Sequence, residues 1–176
     1  MNTESSRKHV LTGGPGVGKT TVIEILASKG YAIIPEAARI IMEEEQIKNS
    51  DIVPWKNLAI FQEAVAKRQL MAEAHIKAPI TFLDRGLIDG YAYCMQGNIP
   101  APKMLIEHVK DRYDKVFLLA PLPIYENDTV RKEKKYFQIS IHSMIQDAYK
   151  KFGYNLIHVP VLAPDERVTF ILQAIH

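Results

Sequence analysis

Short apolar runs alternate along the chain with longer segments in which apolar residues recur at helical spacing. The short runs, rich in β-branched residues, predict strands at 9–12, 31–35, 80–84, 116–120 and 156–159. The longer segments predict helices at 19–29, 36–47, 55–76, 87–95, 103–112, 136–152 and 165–175. Gly30 and Gly153 each lie between a helix pattern and a strand pattern, where a left-handed residue commonly ends a helix. Because parallel strands are usually joined by helical crossovers, the alternation predicts a three-layer α/β fold around a five-stranded parallel sheet.

Composition and charge limit the classes of partner that we expect. The 176 residues contain no repeat, low-complexity tract or flexible linker, so we expect a single domain over residues 1–176. The formal net charge of +2 gives no sign of the basic surface that nucleic acid requires. No stretch is apolar enough for a signal peptide or a membrane span, and Cys94 is the single cysteine. We therefore expect a cytoplasmic protein without a nucleic-acid partner, with oligomerisation left open.

A glycine-rich loop follows the first predicted strand. Residues 13–20, GGPGVGKT, match the Walker A pattern G-x-x-x-x-G-K-[ST] between a strand and a helix. In such a loop backbone N–H groups and the helix dipole bind phosphate, the lysine reaches the β- and γ-phosphates, and the hydroxyl binds Mg²⁺. A glycine-rich turn without a ligand is the alternative, but it has no use for Lys19 and Thr20. The residues predicted to bind nucleotide are Gly13, Gly14, Pro15, Gly16, Val17, Gly18, Lys19, Thr20 and Thr21.

The third predicted strand ends in Asp84, which is followed by Arg85. A carboxylate at the end of a parallel strand beside a phosphate loop is placed to bind Mg²⁺, so we expect Asp84 to bind the metal together with Thr20. ATPases that activate water commonly carry a second carboxylate at the next position, whereas Arg85 offers a planar fork that suits phosphate. The pair favours phosphoryl transfer to a bound acceptor over hydrolysis. A buried ion pair at the strand end is the alternative.

Candidate acceptor residues follow the second strand and lie in the third helix. Glu36 could accept a proton from an acceptor hydroxyl, and Arg39 could bind an anionic or polar part of the acceptor. Capping of the helix by Glu36, paired with Arg39, explains the same two residues. Gln62 is a further candidate for the acceptor pocket, although helical spacing alone does not distinguish it from a packing residue.

A basic segment at 131–135 follows the fourth strand and a proline-rich stretch. We expect residues 126–137 to form a lid, in which Arg131 takes a catalytic part by neutralising charge on the phosphoryl group in transfer. A solvated helix start with alternating charge is the alternative.

These motifs together resemble the AAA-type domain family of P-loop ATPases and kinases. The stretches TGGPGVGKTT, IIPEAAR, FLDRGLIDGYAY and TVRKE, with FGY before the last strand, carry the resemblance over nearly the entire chain. The family includes the kinase domain of nicotinamide riboside kinases and GTP-binding proteins of membrane trafficking. The resemblance implies a P-loop NTPase fold with nucleoside-kinase-like strand order 2-3-1-4-5, and it supports the roles given to Glu36, Asp84, Arg85 and Arg131. Because an Asn-Lys-x-Asp element for guanine is missing, ATP is the expected donor, with GTP left open.

Two functions agree with these residues. The first is a Mg²⁺-dependent kinase that transfers the γ-phosphate of ATP to a small metabolite, a nucleoside or nucleotide-like acceptor. The second is a nucleotide-binding ATPase or GTPase switch that acts through a protein or membrane partner. The two differ in their need for an acceptor, and Arg85 beside Asp84 favours the kinase.

Overall fold

The computed structural model describes residues 6–123 and 129–176, with side chains for 6–123 and 136–176. Its strands are β1 (Arg7–Thr12), β2 (Ala32–Ile34), β3 (Ile80–Asp84), β4 (Lys115–Leu119) and β5 (Leu156–Val159). Its helices are α1 (Lys19–Ser28), α2 (Ala37–Ile47), α3 (Leu58–Ala74), α4 (Leu87–Gln96), α5 (Lys103–Glu107), α6 (Thr129–Lys151) and α7 (Pro164–Ile175).

The strands form one parallel sheet in the order β2-β3-β1-β4-β5, with helices on both faces. This confirms the predicted fold class and strand order. Since successive side chains of a strand point to opposite faces, β1 supplies both hydrophobic cores. Val10 packs in the core beneath α3, α4 and α6, whereas Leu11 packs in the core beneath α1 and α7, and both are fully buried.

The register of the sheet brings the ends of the first three strands to one edge. Leu11 of β1 lies beside Asp84 of β3, and Ile34 of β2 lies beside Leu83 of β3. Because all three strands are parallel, the segments that follow them leave the sheet on the same side. These segments contain the phosphate loop, Glu36 and Arg85, so residues far apart in sequence meet at this edge.

Three helices differ from the prediction by five or more residues in length. Helix α3 runs from Leu58 to Ala74 rather than over 55–76, because the Asn57 side chain caps its start by accepting from Ile60 N. Helix α5 ends at Glu107 rather than at 112, because the chain must turn into β4 and Asp111 takes a positive φ of 48°. Helix α6 begins at Thr129 rather than at 136, so its first turns contain the basic segment 131–135. Lysine, arginine and glutamate have high helix propensity, which apolar periodicity does not register. The predicted helix ends at Gly30 and Gly153 are confirmed, with φ of 88° and 87°.

Candidate functional site

The phosphate loop joins β1 to α1 through glycines in conformations that other residues rarely adopt. Gly13, Gly16 and Gly18 have φ of 139°, 76° and 83°. Gly14 is required for a different reason, because a Cβ there would lie 2.9 Å from the backbone oxygen of Gln138 in α6. The loop is thus shaped by its own backbone and by helix α6, which packs against it.

Lys19 folds back onto the loop that precedes it. Its Nζ donates to the carbonyl oxygens of Gly13 and Gly14, each at 3.1 Å, and the residue is only 7% exposed. Burial, aided by the nearby charge of Arg85, lowers the pKa of Lys19 to about 8. Thr20, the next residue, is exposed at the start of α1. This arrangement holds the lysine at the loop and leaves the threonine hydroxyl open to a ligand.

Asp84 is a buried carboxylate with an unused oxygen. It ends β3, is 7% exposed, and its Oδ1 has no hydrogen-bond partner among the described residues. Burial, followed by the negative charge of Glu36, raises the pKa of Asp84. A buried carboxylate oxygen without a partner beside a phosphate loop is chemically suited to a hard cation such as Mg²⁺. In the described part of the chain no three His, Cys, Asp or Glu residues cluster as a metal site, so a metal here would also need phosphate oxygens.

Arg85 connects the phosphate loop to the acidic residues beside it. Its Nη1 lies 3.0 Å from the Gly13 carbonyl oxygen and 3.1 Å from Asp89 Oδ1, and its Nε donates to Glu36 Oε1 at 3.0 Å. Burial favours a lower pKa of Arg85, but Tyr93, Asp89 and Glu36 outweigh it and raise the pKa. Arg85 therefore forms ion pairs with Glu36 and Asp89, and no ion pair with Asp84 at the strand end is present among the described residues.

Asp89 is a site residue to which the sequence patterns assigned no role. Its Oδ1 accepts from Thr12 Oγ1 at 2.5 Å as well as from Arg85, and its Oδ2 accepts from Gly86 N at 3.0 Å and Tyr149 Oη at 2.7 Å. The residue is 2% exposed. A carboxylate with four donors is fully satisfied, so Asp89 fixes the direction of the Arg85 guanidinium. Its position four residues after Arg85 in the first turn of α4 is the signal that could have found it.

A cavity of about 220 Å³ adjoins Arg85 between helices α2, α3 and α4. Its walls are mainly apolar, and Glu36, Gln62, Arg85 and Tyr93 are among its polar lining residues. Glu36 occupies the N-cap of α2 without a capping hydrogen bond from its side chain, which turns to Arg85 instead. The alternative for Glu36 is therefore present only in part: the side chain makes no capping hydrogen bond, but it does pair with Arg39 at 3.9 Å.

Gln62 lines this cavity and has a buried amide oxygen without a partner in the described part of the chain. The residue is 4% exposed, and its Oε1 has no hydrogen-bond partner among the described residues. Gly90 of α4 makes room for it, since a Cβ there would lie 3.3 Å from Gln62 Oε1. Arg39, by contrast, is half exposed, lies 3.9 Å from Glu36 and is not among the residues that line the cavity. Of the three predicted acceptor residues, the geometry brings Glu36 and Gln62 to the cavity and leaves Arg39 outside it.

Helix α6 contacts the phosphate loop through His142. Gly14 N donates to His142 Nδ1 at 3.1 Å, a contact across 128 residues of sequence. Burial, together with the charge of Lys19, lowers the pKa of His142. Arg131 lies in the helical backbone of α6, but its side chain is outside the described residues, as are residues 126–128 of the expected lid. The roles of Arg131 and of the lid stay predictions.

The fold and the glycine-rich loop define a P-loop NTPase type of domain. The AAA domain family model matches residues 8–167, and the chain belongs to this family. No curated protein matches the sequence. In the part of the chain that the structure describes, no helix has the length and apolar character to cross a membrane.

Several solved structures, two of them of kinases, have the same fold at low sequence identity. The NadR protein solved in complex with NR is 19% identical, with a TM-score of 0.68 over 97% of this chain and 49% of that chain. Thymidylate kinase from Ehrlichia chaffeensis is 17% identical, with a TM-score of 0.63 over 97% and 99% of the two chains. Deoxyadenosine kinase from M. mycoides is 17% identical, with a TM-score of 0.59 over 96% and 98%. At these identities the likeness shows the fold.

Proposed function

We propose that the chain is a Mg²⁺-dependent kinase that transfers the γ-phosphate of ATP to a small metabolite, a nucleoside or nucleotide-like acceptor. The observation that carries this proposal is the position of Arg85. Its guanidinium contacts the Gly13 carbonyl of the phosphate loop and the carboxylate of Glu36, which lines the adjoining cavity. One side chain therefore spans the distance between the proposed donor site and a cavity whose volume of about 220 Å³ suits a small acceptor.

The donor half of the proposal rests on the loop and the residues beside it. Lys19 and the backbone N–H groups of 16–21 would bind the phosphates, and Thr20 and Asp84 would hold Mg²⁺. When bound, the metal would neutralise charge on the phosphates. The unsatisfied Oδ1 of Asp84 and the exposed Thr20 support this assignment.

Glu36 would activate the acceptor. Its Oε1 is taken by Arg85 Nε, whereas its Oε2 is 3.9 Å from Arg39 and has room for another donor. An acceptor hydroxyl that donates to Oε2 would lose its proton to Glu36 as its oxygen bonds to the γ-phosphorus. The bond from that phosphorus to the bridging oxygen would break, and ADP would leave with that oxygen. Arg85 would stabilise the charge of the phosphoryl group as it moves.

Gln62 would bind the acceptor from the opposite wall. A primary amide offers two donors and one acceptor, so it pairs with neutral rings that carry both kinds of group. The apolar walls would pack on the faces of such a ring, while Arg85 and Glu36 contact its hydroxyl-bearing end. This division of roles supports a nucleoside or nucleotide-like acceptor.

An acceptor screen tests the proposed function. ADP release is measured with ATP or GTP and Mg²⁺ across nucleosides, nucleotides and other small alcohols, and products are identified by mass spectrometry. We expect one class of acceptor to raise turnover well above the acceptor-free rate and to gain one phosphate. Nucleotide binding without acceleration by any acceptor would contradict the kinase and favour the nucleotide-binding switch.

A further inference from the structure

Arg167 is a buried arginine on the opposite side of the phosphate loop from the cavity. It lies in the first turn and a half of α7, is 2% exposed, and donates to three backbone carbonyls. Its Nη1 lies 2.5 Å from the oxygen of Val17, its Nη2 3.1 Å from that of Ala120, and its Nε 3.0 Å from that of Pro160. These carbonyls belong to the phosphate loop and to the segments that follow β4 and β5.

Stability alone does not account for this placement. Within the described residues, every hydrogen-bond partner of the Arg167 guanidinium is a neutral carbonyl rather than a carboxylate. A buried charge without a counter-charge is costly, and burial lowers the pKa of Arg167 accordingly. The charge is kept next to a loop whose sequence is suited to an anion, where its field attracts phosphate.

The contact with Val17 also fixes a peptide group of the loop. In a planar trans peptide the carbonyl oxygen and the following N–H point in opposite directions. Arg167 holds the Val17 oxygen, so the N–H of Gly18 points away from Arg167. Gly18 has a φ of 83°, and glycine samples many conformations unless contacts hold it.

We propose that Arg167 is a positioning residue for the phosphate loop, which orients the Gly18 N–H through the Val17 carbonyl and ties the loop to the ends of β4 and β5. This inference rests on the proposed function, because it takes the loop as the site for nucleotide phosphates. Arg167 needs no contact with the ligand, since it acts through the peptide group that it holds. Its removal would loosen the loop before phosphate arrives.

Two substitutions and a matched control test the inference. Arg167→Met removes the charge and all three hydrogen bonds, whereas Arg167→Lys keeps the charge but has one nitrogen for three separated carbonyls. Arg7→Met is the control, because Arg7 Nη1 donates to the Ile175 carbonyl at 3.1 Å, at the far end of the same helix. Affinity for Mg·ATP and for Mg·tripolyphosphate is measured by calorimetry, and unfolding by urea.

We expect Arg167→Met to weaken both ligands by the same factor, about tenfold or more, because the defect lies at the phosphates and not at the base. Arg167→Lys should weaken them less, and Arg7→Met should leave both affinities unchanged whatever it does to stability. Unchanged affinity in a folded Arg167→Met protein overturns the inference. If Arg167→Met does not fold, wild-type affinity in Arg167→Lys overturns it in the same way.

The amide signal of Gly18 in a ¹⁵N-labelled protein gives an independent readout. In the ligand-free protein, we expect Arg167→Lys to change the chemical shift of the Gly18 amide and Arg7→Met to leave it at the wild-type value. The reverse result overturns the inference. If the wild-type chain binds tripolyphosphate but phosphorylates no acceptor, the proposed kinase activity is contradicted. The role of Arg167 in positioning the loop then stays supported. Failure of the wild-type chain to bind either ligand overturns both.

Discussion

Buried polar side chains at the carboxyl edge of the sheet fall into two groups. Asp89 has four hydrogen-bond donors, so it belongs to the framework of the site. Gln62 Oε1 and Asp84 Oδ1 have no partner among the described residues although both atoms are buried. Because an unsatisfied buried polar atom costs free energy, an atom of this kind in a residue of the cavity wall (Gln62) or at the strand end beside the phosphate loop (Asp84) points to a ligand that completes it.

Replacement of Gln62 by leucine tests this distinction. We expect Gln62→Leu to raise the KM for the acceptor by about tenfold or more, because the ligand loses its polar partner, while the free energy of unfolding stays within about 1 kcal/mol. Gln69→Leu is the matched control. Gln69 lines the same cavity, but its Nε2 donates to Glu73 at 2.9 Å. Loss of this hydrogen bond in Gln69→Leu should therefore lower the free energy of unfolding. An unchanged KM in Gln62→Leu would argue against Gln62 as an acceptor residue.

His9 makes stability depend on pH. It is fully buried in β1 between the rings of Phe82 and Phe117, at centroid distances of 5.6 and 6.5 Å, and burial lowers its pKa from 6.5 to about 4. Between these values the unfolded chain binds a proton that the native chain does not, so stability falls as pH drops from 6.5 toward 4.

We expect His9→Leu to lose less stability than the wild-type chain over this range of pH, as measured by urea unfolding at several pH values. His75→Leu, which replaces an exposed histidine at the end of α3, should follow the wild-type pH dependence. Parallel curves for His9→Leu and the wild-type chain would show that His9 is not the group responsible.

At the scale of elements, the turn between β3 and α4 positions Arg85. Arg85 has a left-handed φ of 72°, and its N–H donates to the Leu11 carbonyl at 3.0 Å, which helps to offset the strain. Tyr113 Oη accepts from Leu87 N at 2.8 Å and donates to Glu73 Oε1 at 2.9 Å. Tyr113 thus fixes the start of α4 and leaves little space for movement of the turn between β3 and α4.

Gly86 is the residue on which this turn depends. A Cβ there would lie 2.8 to 2.9 Å from the ring and hydroxyl of Tyr113, so we expect Gly86→Ala to destabilise the protein by about 1–3 kcal/mol and to lower kcat by displacing Arg85. Gly30→Ala is the control, since its φ of 88° strains the backbone but no atom lies within 4 Å of the added Cβ. Both changes should lower stability, measured by urea unfolding, and only Gly86→Ala should lower kcat. Wild-type kcat in Gly86→Ala would contradict this role.

At the scale of the whole molecule, the phosphate loop is held by groups from several elements. Lys19 contacts the loop from α1, His142 contacts it from α6, and Arg167 contacts it from α7. Only the native chain brings these groups together around the loop, so a ligand of the loop binds the native chain and not the unfolded chain. Nucleotide should therefore stabilise the domain by mass action, by about 2.7 kcal/mol at a concentration 100 times its Kd.

We expect Lys19→Ala to abolish the rise in Tm that Mg·ATP gives the wild-type chain, while the variant stays folded. Lys29→Ala, at the exposed far end of the same helix, should keep the full rise. Differential scanning fluorimetry with and without Mg·ATP measures the change. An undiminished rise in Lys19→Ala would reject the phosphate-loop assignment.

Much of this architecture could be predicted from the chain itself, because it depends on patterns that are local in sequence. Strand and helix periodicity gives the alternating elements, and the contiguous Walker A residues give the phosphate loop. Asp84 and Arg85 could be found because they follow a buried strand directly. Helix ends were less well predicted, as α5 and α6 show, since charged helix formers and turns carry no apolar period.

The sequence by itself determined the order of the strands and helices, the phosphate loop and the strand ends that carry Glu36, Asp84 and Arg85. The tertiary structure decided how these groups pair: Asp89 with Arg85, Gln62 with the cavity and Arg167 with Val17. The physical reason is the range of the contacts. Val17 and Arg167 are 150 residues apart, and their side-chain to backbone contact depends on how α7 packs against the sheet, which no local pattern encodes.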